Sequence, residues 1–338
     1  MRLSRFVFLM CAVALVGCGG AQSGSSSQPA TVTLDGSSTV FPISEAVAEE
    51  FQKVTPGVRV TVGISGTGGG FQKFCRAETD ISNASRPITA SESAACAKKG
   101  VAFVELPVAY DGIAVVVNPK ATWIDHLTVA ELKIMWAPDA QGTVTKWAQV
   151  RAGWPDRELH LFGAGVDSGT YDYFTQAING KEGASRGDFT SSEDDNVLVQ
   201  GIANDELAIG FMPYAYYIEN QAALKLVAVD DGKADNGAGP IRPSIETVKV
   251  GTYQPLSRPV FIYVSTTALG RPAVVQFIDY YLTKGGALAE EVGYVPLGDR
   301  GYTLVQAHFA ARQTGSVFEH AGSQVGLTID QLLQRESK

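Results

Sequence analysis

From Thr31 to Leu282 the chain alternates short β-branched apolar runs with longer stretches whose apolar residues recur at helical spacing. A chain with this rhythm is confined to layers: the strands pair into a sheet and the intervening helices cover its faces. Thr31–Leu34, Val58–Ile64, Asp80–Ala84, Val101–Leu106 and Ile113–Val117 read as strands. Ile43–Val54, with Ile43, Val47, Phe51 and Val54 on one face, reads as a helix, as do Phe71–Ala77 and the stretch running to Lys99. Thr89 with Glu92, and Thr128 with Glu131, have capping-box spacing and open helices. Further along, Leu159–Gly163, Leu207–Phe211, Leu224–Val229 and Val260–Val264 are strand-like, and Tyr171–Ile178, Asp195–Ala203 and Arg271–Leu282 are helical. Lys233–Gln254 is rich in Gly, Pro and Asn and reads as loop, and the C-terminal region reads as helical. The pattern predicts an α/β fold with a mostly parallel sheet and no internal repeat.

Four segments at strand-to-helix junctions concentrate hydroxyls and glycines. They are Asp35-Gly-Ser-Ser-Thr-Val-Phe-Pro42, Ser65-Gly-Thr-Gly-Gly-Gly70, Ser82-Asn-Ala-Ser-Arg-Pro87 and Asp167-Ser-Gly-Thr-Tyr-Asp172. A helix N-terminus carries about half a positive charge and several free N–H groups. Glycine admits a ligand close to the backbone, and Ser or Thr adds a donor. Any one such turn serves equally as an ordinary helix cap. Four together, at the carboxyl ends of strands, point to a cleft that holds a tetrahedral oxyanion. Arg86, between Ser85 and Pro87, offers planar paired donors that suit such oxygens. The glycine-rich segment lacks the Gly-Lys-Ser/Thr ending of a nucleotide loop. Val166–Thr170 superficially resembles a serine-nucleophile segment, but none of the four His lies in a motif that would supply its base. A secreted hydrolase is therefore the distant reading. An adhesive surface lipoprotein would leave the four turns unexplained.

The N-terminus reads as an export signal. Arg2 and Arg5 precede the apolar run Phe6–Val16, too short for a permanent membrane span. The run ends in Leu15-Val16-Gly17-Cys18, which resembles the bacterial lipobox and implies lipidation of Cys18. A plain secretory signal is the alternative. Gly19–Pro29, rich in Gly, Ser and Gln, reads as a flexible tether reaching about 20 Å. Loss of the signal leaves 25 basic against 35 acidic residues. That balance argues against nucleic acid as a partner and requires any anion site to be local. Cys11 leaves with the signal, so Cys75 and Cys96 remain and are expected to pair as a disulfide around the Arg86 turn. No metal-ligand spacing or cofactor fingerprint is present.

At the four turns the chain resembles the phosphate-binding proteins of the Pst transport system, and the likeness spans most of the mature sequence. It implies a periplasmic-binding-protein-like fold of two α/β lobes with a ligand cleft between them. Lobe 1 would hold residues 30–115 and 260–338 and lobe 2 residues 116–259, behind a signal peptide (1–17) and the lipidated tether (18–29). Crossings are expected near Asp111-Gly112 and Ser257–Pro259. It implies non-enzymatic capture of inorganic phosphate by a monomer. The captured anion would pass to the permease of an ABC importer, with the protein lipid-anchored at the cell envelope. Carried over residue by residue, the ligand set is Ser38, Thr39, Thr67 with Ser65 as a near alternative, Ser168, Gly169 and Thr170, and the reading of the turns themselves adds Arg86 and Asp172. Ser37, Gly66, Ser85, Asp80 and Asp167 stand behind them. Two departures stand out: Arg86 occupies a place where many members have an Asp, and Ala164 a place where many have an Arg. The acceptor for a ligand proton is then open among Asp35, Asp80, Asp167 and Asp172, with Asp172 preferred. Sulfate, molybdate or tungstate would suit the same turns, and competition between oxyanions discriminates them.

Overall fold

The structure, a computed structural model, describes residues 30–318 and 322–337. The segments expected to be signal peptide (1–17) and tether (18–29), Cys18 included, lie outside the described residues. The first part of the chain forms β1 (Ala30–Gly36), α1 (Phe41–Val54), β2 (Val58–Val62), α2 (Gly66–Cys75), β3 (Ile81–Ala84), α3 (Ala90–Lys98) and β4 (Phe103–Val117). The middle forms β5 (His126–Thr128), α4 (Val129–Trp136), β6 (His160–Ala164), α5 (Gly169–Asn179), β7 (Thr190–Ser192), α6 (Asp195–Asn204), β8 (Ala208–Pro213), α7 (Tyr214–Glu219), β9 (Lys225–Asp230) and α8 (Ile245–Lys249). The last part forms β10 (Ser257–Ser265), α9 (Pro272–Glu291), α10 (Gly298–Ala310) and α11 (Ile329–Glu336). Both expected capping boxes form, at Thr89–Glu92 and Thr128–Glu131.

The strands run in the order β2-β1-β3-β10-β4-β8-β6-β7, with β9 also beside β4 and β5 beside β9. The sheet is mixed rather than mostly parallel. β1–β2, β1–β3, β6–β7, β6–β8 and β5–β9 are parallel. Every antiparallel pair involves β4 or β10. These two strands join the halves of the molecule. β4 pairs with β10 as far as Gly112 and with β8 from Ile113 onward. It is buried along its whole length, as is β10.

The two separate strands expected over residues 101–117 are thus one. The sequence reads as interrupted because Pro107 cannot donate to a ladder and Asp111-Gly112 resembles a turn. The register of β10 shifts between Val260 and Phe261, which face Ala109 and Pro107. A bulge at Val108 absorbs the proline there. The loop expected over 233–254 contains α8, capped by Ser244 through Thr247. Helices seal both halves. Phe51 of α1 meets Phe277 and Tyr280 of α9 edge-on. Trp136 packs edge-on against Phe174 and Phe211 in the other half.

Candidate functional site

The carboxyl ends of β1 and β3 and the start of α2 face the start of α5 across the cleft. All four hydroxyl-rich turns meet there. Thr39 and Thr170, from opposite halves, share a hydrogen bond of 2.9 Å between their hydroxyls. Thr67 and Ser85 share one of 3.2 Å. A Cβ on Gly169 would lie 2.5 Å from Ser85 Oγ and 2.6 Å from Thr67 Oγ1. Ser37, Ser38, Thr39, Thr67, Ser85, Ser168 and Thr170 are all buried. Polar groups withdrawn from water in this number require partners or a ligand. Ser168 caps its helix by accepting from Thr170 N at 3.1 Å. The hydroxyls of the first two turns do not cap α1 or α2. Ordinary capping therefore does not explain them.

Two charges that the sequence reading missed complete the site. Arg258 of β10 is fully buried and pairs with Asp111 of β4 at 3.0 Å. Its remaining donors reach Gly169 O at 2.8 Å, Thr170 Oγ1 at 2.8 Å and Thr39 Oγ1 at 3.2 Å. One guanidinium thus touches both crossing strands and the turns of both halves. The signal was an arginine inside a β-branched, aromatic run, Arg258-Pro-Val-Phe-Ile. The second charge is Asp195, at the start of α6. Its Oδ2 accepts from Ser38 Oγ at 2.7 Å, while Oδ1 is buried without a partner. Burial foremost, only partly offset by Ser38 and Arg258, pushes its pKa up to about 7. Asp111 is likewise pushed up to about 6 by burial, with Arg258 opposing. Asp195 was hidden in the run Glu193-Asp-Asp, which reads simply as an acidic helix start.

The other expected site residues fall differently. Arg86 is buried, and four of its five N–H donors are taken: Nε by Asp172 Oδ2 at 2.7 Å, three more by Glu92 and the carbonyl of Pro87. Two carboxylates on one guanidinium leave that cluster net negative. Asp172, the preferred proton acceptor, is therefore already an ion-pair partner. Ser65 donates to Asp35, which also takes Lys73 Nζ at 2.7 Å. Asp80 binds Thr33 N at 2.9 Å and pairs with Arg271, at the opposite end of β3 from the turns. Asp167 is exposed, and its carbonyl accepts Gly68 N at 2.8 Å from the other half. Gly66 has φ +73°, and a Cβ there would lie 2.5 Å from the same carbonyl. Ser37 Oγ is buried and unpartnered. Cys75 and Cys96 form the disulfide, joining α2 to α3.

The fold and the cleft define a periplasmic-binding-type solute receptor, and comparison with known proteins agrees. A PBP superfamily domain model matches residues 21–284. Protein SphX of Synechococcus elongatus is 51% identical over 315 residues, covering 92% of this chain and 90% of that protein. The phosphate-binding protein PstS of Staphylococcus saprophyticus is 36% identical over 292 residues, covering 86% and 87%. The crystal structure of a possible phosphate binding protein from Planctomyces limnophilus is 48% identical with a TM-score of 0.62, covering 85% of this chain and 100% of that one. The chain belongs to the PBP superfamily, among the relatives named PstS and SphX.

Proposed function

We propose that the protein captures inorganic phosphate in this cleft and delivers it to the permease of an ABC importer. The observation that carries the reading is the convergence of four hydroxyl-bearing turns and Arg258 on one buried locus between the halves. The ligand set is Ser38 and Thr39, Thr67 and Ser85, then Ser168, Gly169 and Thr170, with Arg258 as the cation in place of Arg86. Neutral donors and helix N-termini bind the oxygens, and one buried arginine supplies the charge. Asp195 is the acceptor for the ligand's proton, because its free Oδ1 lies beside Ser38. Such an acceptor favours hydrogen phosphate over fully ionised sulfate, which has no proton to donate. The donor set forms and breaks no bond and offers no activated nucleophile, which suits capture and release. Export, lipidation of Cys18 and anchoring at the cell envelope complete the reading, supported by the leader sequence, and capture by a monomer goes with it.

The test is calorimetric titration of phosphate into the chain from Gly19 onward, which contains the whole described fold. The protein is unfolded and refolded beforehand to strip carried-over ligand, and sulfate is the competitor. One-to-one binding at micromolar concentration or tighter, insensitive to millimolar sulfate, is expected. Binding of molybdate or sulfate instead would keep the site and change the substrate. No heat with any oxyanion would overturn the reading.

A further inference from the structure

Arg86 and Asp172 sit on opposite sides of the cleft. Arg86 follows β3, and Asp172 lies in the first turn of α5, the helix whose N-terminus carries Ser168, Gly169 and Thr170. Their Nε–Oδ2 contact is 2.7 Å, with side-chain exposures of 5% and 15%, so the pair is largely shielded from water. On its own side Arg86 is held by both Glu92 oxygens, at 2.9 and 2.8 Å. Glu92 is itself fixed, because Oε2 accepts Thr89 N and Thr89 Oγ1 in the capping box of α3. The disulfide then binds α3 to α2. When the halves part, Asp172 returns to water while Arg86 stays clamped to Glu92. The guanidinium therefore gives up little side-chain freedom when Asp172 arrives, and most of the contact energy goes to closure.

We infer that Arg86 and Asp172 form an inter-lobe latch that positions the α5 N-terminus over the first three turns and sets how long the ligand is held. They are positioning residues, and the disulfide and Glu92 serve as the mount for one half of the latch. This rests on the phosphate-capture reading for its ligand, though not for the closure itself. The latch favours the closed form with or without ligand, so its loss accelerates release, makes capture no slower and leaves oxyanion preference unchanged.

The experiment measures phosphate association and dissociation by stopped flow for the chain from Gly19 onward and for Asp172→Asn, Arg86→Gln and their combination. Each single variant is expected to raise the dissociation rate about ten-fold with the association rate no lower. The double variant should release ligand no faster than either single one, since both remove the one inter-lobe contact and the other bonds of Arg86 lie within its own half. Glu92→Gln, which loosens the mount and leaves both partners in place, should give an intermediate rate. Unchanged dissociation in Asp172→Asn, additive losses in the double variant, or altered preference for phosphate over sulfate would each overturn the latch. Spin labels on α3 and α6, read by pulsed dipolar spectroscopy, report the distance between the halves without any ligand. Asp172→Asn should shift that distribution to longer values. If the unaltered protein binds no phosphate but the shift appears, the ligand assignment fails and the latch stands. If the distribution is the same in both proteins, the latch fails.

Discussion

A buried charge in this molecule is tolerable only because of what faces it. Arg258 is satisfied by Asp111, one backbone carbonyl and two hydroxyls. Removing the guanidinium would leave Asp111 buried without a counter-charge, held only by the backbone N–H groups of Gly112 and Tyr214. Arg258→Met should therefore cost about 3–5 kcal/mol of stability, measured by denaturant unfolding at pH 7. A loss below 1 kcal/mol would mean that Asp111 simply takes up a proton at no consequence to the fold. Asp195 is the complementary case, a carboxyl with one oxygen engaged and one free. Asp195→Asn keeps the shape and adds a donor, so the discrimination against sulfate should fall by at least about ten-fold in competition calorimetry. Retained discrimination would return the proton acceptor to another carboxylate. Neither residue was legible beforehand. A lone arginine in an apolar strand is a signal that something buried must face it but not of what, and one aspartate in an acidic run gives no local sign at all. Their roles arise from partners more than eighty positions away, Asp111 for Arg258 and Ser38 for Asp195.

At the scale of elements, the four turns were legible because their hydroxyls and glycines are contiguous in sequence. Their convergence was an inference from where strands end. The glycines serve a purpose that differs from the expected one. At Gly66 and Gly169 the close neighbour is the opposite half of the protein, and a side chain at either would intrude on that approach. Gly169→Ala should therefore hold the halves apart. Its Cβ would meet two hydroxyls on the opposing side at 2.5 and 2.6 Å, and α5 has no slack at its first residue. Phosphate affinity should drop about a hundred-fold with little change in melting temperature without ligand, read by calorimetry and scanning fluorimetry together. Full affinity in that variant would mean that the turns do not close as described. The strand order was less legible than the strands. Periodicity marks where a strand lies, but the antiparallel insertion of β10 between β3 and β4 depends on pairs such as Ser257–Gly112 and Val264–Ile81, far apart in the chain.

For the molecule as a whole, three acidic groups share one sign. Burial raises Asp111 to about 6, Asp195 to about 7 and Glu105 to about 7, the last beneath Tyr263 and Val317. Each holds its proton more tightly in the fold than in the unfolded chain, whose carboxyls titrate near 4. The stabilisation is present below the unfolded value and is lost as pH rises through the folded one. His308, raised by Glu336 despite burial, acts in the same direction. Glu131 and Asp188, lowered to about 2, act only in more acid solution. In phosphate-free buffer the melting temperature should fall steadily from pH 5 to pH 8. Glu105→Gln should flatten part of that slope without touching the cleft. A melting temperature that rises over this interval would contradict the burial of these groups.

The order of strands also sets a schedule for synthesis. β3 and β4 are neighbours in the chain, yet the place between them is filled by β10, which begins at Ser257. Until that late segment emerges from the ribosome, the first half has an open gap in the middle of its sheet and two unpaired inner edges. The nascent chain is thereby kept from locking into a finished domain during most of its translation. Under the export reading proposed above, such delay would keep the chain threadable through a translocation channel until its own last quarter arrives.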